Sequence, residues 1–174
     1  MGKLEDKAQE LLDETGLSQV PVPVEQIAKK LGVDVVYEPA PDSVSGMLFR
    51  EGDVARIGVN SSHAHVRQRF TIAHELGHLR LHPGRKMFVD KAVRIDLRDE
   101  RSSTATDKQE IEANGFAANL LMPVSLLVEE AERFFKRNSN ASVDELATAM
   151  AERFDVSVQA MRIRLANLGV CDPE

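Results

Sequence analysis

The chain has 174 residues, 43% of them hydrophobic and 29% charged, with a formal net charge of -6 and a single cysteine, Cys171. That length is enough for one compact domain with a core of its own, and one cysteine excludes an internal disulfide. The acidic balance argues against non-specific nucleic-acid binding, which needs a surplus of Lys and Arg facing phosphate. With no signal-like N-terminus and no run of about 18 apolar residues, a cytoplasmic protein that does not enter the membrane is expected.

Leu4, Ala8, Leu11 and Leu12 recur at helical spacing and predict a helix over 3–15, stopped by Gly16. A turn with Pro21 and Pro23 follows, then a short helix ending at Gly32. Val33, Val35 and Tyr37 alternate with polar residues as a strand does. Two further strand-like runs, about 44–50 and 54–60, flank Glu51-Gly52-Asp53 and read as a β-hairpin. From His65 to Leu81 the pattern is helical, and Pro83 and Gly84 end it.

Residues 86–106 read as a loop with room for one short strand. Asp107 is placed to cap a helix over 108–122 that stops before Pro123. Another helix covers about 124–136, residues 138–140 look like a linker, and the tail reads as two helices joined near 154–157. The expected organisation is a domain over 1–137 and a helical cap over 138–174.

The chemistry concentrates in the helix over 65–81. Residues four apart lie on one helix face, about 6 Å apart along the axis, so His74 and His78 can aim two imidazoles at one ion. Glu75 lies about 100° around from His74 and can reach a water at that ion. Catalytic zinc usually takes three protein ligands, and the third is sought in the next strong helix. Glu110 and Glu112 point about 200° apart there, so only one can face the metal; Glu110 is preferred and Glu112 is the alternative.

Asn114 shares a face with Glu110 and is placed to hydrogen-bond a ligand histidine from behind. His82 extends the row of histidines, but about 12 Å along the axis from His74 it is too far to join both on one ion. It is assigned either to a position behind the ligands or to stabilising the transition state. His63 and His65 are expected on a solvent-facing loop or helix start, and Cys171 is expected to be idle.

The segments RFTIAHELGHLRLH (69–82) and EIEANGFAANLLMP (110–123), with the hairpin ending in Asn60, closely resemble the ImmA/IrrE family of metallopeptidases. The resemblance spans roughly residues 20–136. It implies an α+β, zincin-like core: a small antiparallel sheet packed on the HExxH and Glu-ligand helices, with C-terminal helices added. It implies His74, His78 and Glu110 as ligands of one zinc and Glu75 as catalytic base. Manganese or iron suits the same donors. It also implies cleavage of helix-turn-helix transcriptional repressors, which relieves repression of mobile-element or stress-response genes. The strand at about 54–60 is the expected edge on which a substrate strand would add.

Two other readings compete. The tail has helix-turn-helix flavour, with Gln159, Arg162, Arg164 and Asn167 available to read bases. Yet residues 133–174 hold six Arg or Lys against six Asp or Glu, so direct DNA binding is not favoured over a structural cap. A catalytically silent, partner-binding protein is the third reading, and Glu75 leans against it.

Overall fold

The computed structural model describes residues 2–52, 54–83, 87–91 and 105–170. Its elements in chain order are α1 (Lys3–Thr15), α2 (Val24–Lys30), β1 (Val33–Glu38), β2 (Val44–Glu51), β3 (Val54–Asn60), α3 (His65–Leu81), β4 (Met87–Lys91), α4 (Ala105–Leu121), α5 (Val124–Arg137), α6 (Val143–Phe154) and α7 (Val158–Asn167). They fall into two compact units, Val24–Ala117 and Met1–Pro23 with Ala118–Glu174. That division lies elsewhere than the 1–137 and 138–174 regions expected above. Cys171 and most of the polar segment after β4 lie outside the described residues.

The unit Val24–Ala117 is α+β, with four strands in the order β1-β3-β2-β4. β2 and β3 form the antiparallel hairpin expected from sequence, with Leu48 opposite Ile57 and the turn at Gly52. β4 pairs antiparallel with the other side of β2, and β1 runs parallel to β3 from Val33 opposite Ala55 to Glu38 opposite Asn60. The strand over 54–60 is therefore interior, and it is not the edge expected above. Alternation along a hairpin shows which residues face the core, but it leaves open which strand takes the second row of backbone groups. Here β1 takes it.

Helix α3 packs on β2 and β3. Leu48, Ile57 and Val59 are buried on the sheet, as are Ile72, Ala73 and Leu76 on the helix, while Met47 and Phe49 alternate to the exposed side of β2. A Cβ at Gly46 would collide with Thr71 Cγ2 and lie 3.0 Å from the Gly58 carbonyl oxygen, so glycine lets α3 sit directly on the strand. At the end of β3 the buried Asn60 ties down the loop between β1 and β2. Its Nδ2 donates to the carbonyls of Ala40, Pro41 and Val44 at 3.0, 3.2 and 2.9 Å, and its Oδ1 accepts from the N–H groups of Ala40 and Ser62. His63 is buried with Nε2 3.3 Å from that Nδ2, which corrects its expected solvent-facing place; His65 is exposed as expected. A polar anchor of this kind leaves no periodic signal in the sequence.

The other unit is helical. Leu11 and Leu12 of α1, Leu120 and Leu121 at the end of α4, Phe154 of α6 and Met161 of α7 are among its buried side chains. Gly16, at φ 64°, ends α1. Ser142 and Glu145 form a capping box at the start of α6. Arg153 of α6 donates to Glu130 of α5 at 3.0 Å and, with Arg133, holds the Glu130 carboxyl below its ordinary range.

Two arginines offered above as base readers are engaged inside this unit. Arg164 is 8% exposed and donates through Nε to the Met122 carbonyl at 3.2 Å, while Arg162 pairs with Asp144 at 2.9 Å. Burial lowers the pKa of Arg164. Helix α4 begins at Ala105, so Asp107 lies in its first turn instead of capping it. Among the described residues no single helix is long and apolar enough to cross a membrane.

The Gly46 contact yields a test. Gly46→Ala should destabilise the protein by about 1–3 kcal/mol in urea unfolding. Adding Thr71→Ser removes the colliding methyl but keeps the hydroxyl that donates to the Arg67 carbonyl, and should recover part of that loss. A Gly46→Ala protein as stable as wild type would show that α3 does not rest on the strand there.

Candidate metal centre

The four-residue spacing of α3 brings His74 and His78 side by side, each 1% exposed, with their Nε2 atoms 2.9 Å apart. Helix α4 supplies the third group. Glu110 places Oε2 3.2 Å from His74 Nε2 and Oε1 3.3 Å from His78 Nε2. One ligand atom from each residue falls within 4.8 Å of the others, so this trio could hold a metal ion.

Helices usually pack with axes 8–10 Å apart, and a closer approach needs small residues at the contact. Gly77 provides one: a Cβ there would lie 3.2 Å from Ala113 Cα, from Ala113 O and from Phe116 Cδ1. The glycine inside HELGH thus brings α4 close enough for Glu110 to reach the histidines.

The other α4 residues sort as follows. Asn114 Oδ1 lies 2.9 Å from His74 Nδ1, on the side of the ring away from Glu110, as expected. Glu112, the alternative ligand, places Oε2 3.0 Å from His82 Nε2. His82 Nδ1 in turn lies 3.1 Å from His78 Nδ1. His82 therefore stands behind His78 and outside the converging trio.

Glu75 is fully buried, and its Oε1 would lie 3.2 Å from a Cβ at Gly46, so the carboxylate occupies the α3–β2 contact one residue from His74. Burial by itself raises the Glu110 pKa, but when protons sit on the His74 and His78 Nε2 atoms their hydrogen bonds and charge outweigh it and hold the carboxyl well below its ordinary range. Two imidazole Nε2 atoms and a carboxylate this close need positive charge between them, as shared protons or as a metal ion. The donor set suits a divalent ion of borderline hardness such as zinc, with iron and manganese as alternatives.

Sequence reasoning did not single out Arg50. From β2 its Nη2 donates to the His78 carbonyl at 2.6 Å and its Nη1 to the His82 carbonyl at 3.2 Å. The guanidinium thus covers the C-terminal carbonyls of the metal-site helix, where the dipole is negative. Burial lowers the Arg50 pKa and the negative charge of Glu75 opposes that. A signal was available, since Gly46, Leu48 and Arg50 occupy alternate positions and share the α3 face of the strand.

A family model for peptidases, Peptidase_M78, described as an IrrE N-terminal-like domain, matches residues 28–166. The match takes in the whole sheet, both metal-site helices and much of the C-terminal helical region. The chain is also similar to an uncharacterized immunity region protein, number 2, of Bacillus phage phi105. The two are 25% identical over 132 residues, which cover 76% of this chain and 78% of the phage protein.

Arg50→Ala should cost about 1–3 kcal/mol of stability in the metal-free protein, because two buried carbonyls lose a charged donor. It should also speed hydrogen exchange of the His82 amide, which bonds the His78 carbonyl. Arg50→Lys should recover little, since a single ammonium lacks the fork that spans both oxygens. Exchange at His82 no faster than wild type would show that the turn is held without Arg50.

Proposed function

Because this chain belongs to the IrrE N-terminal-like peptidase family, we propose that it is a zinc-dependent endopeptidase with His74, His78 and Glu110 as metal ligands and Glu75 as general base. The observation that carries the reading is the convergence of one Glu110 carboxylate on both histidine Nε2 atoms, with Glu75 buried one residue away. A divalent ion held by these residues supplies Lewis acidity, polarising a peptide carbonyl and making water a stronger acid.

The chain's own groups do the rest. Glu75 takes a proton from the attacking water at its carboxylate and passes it to the departing amine as the C–N bond breaks. Asn114 keeps His74 in the orientation that turns Nε2 toward Glu110. We place the protein in the cytoplasm and take its substrate to be a helix-turn-helix repressor of mobile-element or stress-response genes. Similarity to a phage protein named for an immunity region supports that substrate class. The burial of Arg164 and the pairing of Arg162 favour a structural role for α6 and α7 over DNA reading.

Metal analysis and cleavage of a repressor encoded beside the gene test this together. Wild type and Glu75→Gln should each carry one zinc, and His78→Ala should carry none. Both substitutions should lower cleavage by at least about 100-fold, the usual worth of a positioned general base. Full cleavage by Glu75→Gln would remove that residue from the mechanism, and zinc retained by His78→Ala would remove the ligand.

A further inference from the structure

The two histidines of the trio are backed in different ways. His74 meets Asn114 directly, whereas His78 meets a second histidine that itself meets a carboxylate. We infer that Glu112, acting through His82, is a positioning residue that fixes the ring of His78 for metal binding. The inference rests on the ligand assignment proposed above and extends it to a residue pair with no role there.

The argument is one of hydrogen-bond direction. A carboxylate oxygen only accepts, so the 3.0 Å contact with Glu112 Oε2 calls for a proton on His82 Nε2. With that proton in place, Nδ1 is the nitrogen of His82 that can offer a lone pair. His78 Nδ1, 3.1 Å away, must then be the donor. Its other nitrogen, Nε2, is left with a lone pair that faces His74 Nε2 and Glu110. Each proton in the chain is set by the one before it, and the series ends in the tautomer a metal requires.

The backbone supports the same geometry. His82 ends α3, its N–H bonds the His78 carbonyl, and its own carbonyl accepts from Arg50. The ring is 7% exposed and cannot swing freely into solvent. Glu112 stays within 3.9 Å of Lys108, one turn back on α4. Both ring nitrogens of His82 face other side chains, which separates it from a group that touches the reacting carbonyl.

The test reads zinc affinity by competition with a chromophoric chelator, and ligand-field bands after Co2+ substitution, on metal-free protein shown to be folded by circular dichroism. His82→Ala should weaken zinc binding by about 10–100-fold and Glu112→Ala by about tenfold. In a His82→Ala background, Glu112→Ala should change affinity by less than about twofold, because its effect passes through the missing ring. His82→Asn, whose amide oxygen restores an acceptor near Nδ1, should recover part of the affinity and of the Co2+ spectrum. Glu112 is partly exposed, so its substitution leaves the fold intact if His82→Ala does not.

Effects of His82→Ala and Glu112→Ala that simply add would overturn the inference, as would wild-type zinc affinity and spectrum in His82→Ala. If wild type takes up no zinc, the ligand assignment and the relay fall together. If His78→Ala loses zinc while His82→Ala and Glu112→Ala keep it, the relay alone falls.

Discussion

Gly77 of α3 and Ala113 of α4 meet at backbone distance, and the geometry of the candidate metal centre follows from that contact. The two histidines come from one helix and the carboxylate from another, so helix separation decides whether a side chain as short as glutamate can bridge them. A glycine in mid-helix costs about 1 kcal/mol relative to alanine. Here it sits three residues after His74 and one before His78, at the level where α4 must come closest. The local cost is offset by joining the two halves of one site.

β2 performs a similar service on the other side of α3. Three alternate residues of the strand meet the helix: Gly46 beside Thr71 and Glu75, Leu48 in the core, and Arg50 on the carbonyls of His78 and His82. From Gly46 to Arg50 a strand advances roughly 13 Å, and from Glu75 to His82 a helix advances roughly 10 Å, so the two lengths match within a residue or so. The segment bearing Glu75 and both histidines is held against the strand near each end. Its flanks are defined by a missing side chain at one end and a long charged one at the other.

Much of this was readable from residue order, for identifiable reasons. Periodicity marked α1, α3 and the hairpin, because a two-faced environment imprints a period on sequence. The i, i+4 pair of His74 and His78 needed only helix geometry. Spacing also showed that Glu110 and Glu112 point apart, but choosing between them took the distance between helices, which depends on Gly77. Strand order was not legible: β3 looks like an edge until β1 is laid beside it. The anchors were hidden for another reason, since Asn60, His63 and Arg164 are buried polar residues that resemble surface ones in sequence. What distinguishes them is a carbonyl or amide brought close by distant parts of the chain.

The bonds gathered by Asn60 also bear on where this chain can grow. One side chain reaches the backbone of Ala40, Pro41, Val44 and Ser62, so the lengths of the loop between β1 and β2 and of the turn after β3 are set to within a residue. Glu51 and Gly52, at the hairpin tip, are exposed. Homologous chains should therefore vary in length at the tip and hold their residue count between β1 and β2. A reporter peptide or a fused module belongs at the tip, where added residues leave the alignment of β2 with α3 undisturbed.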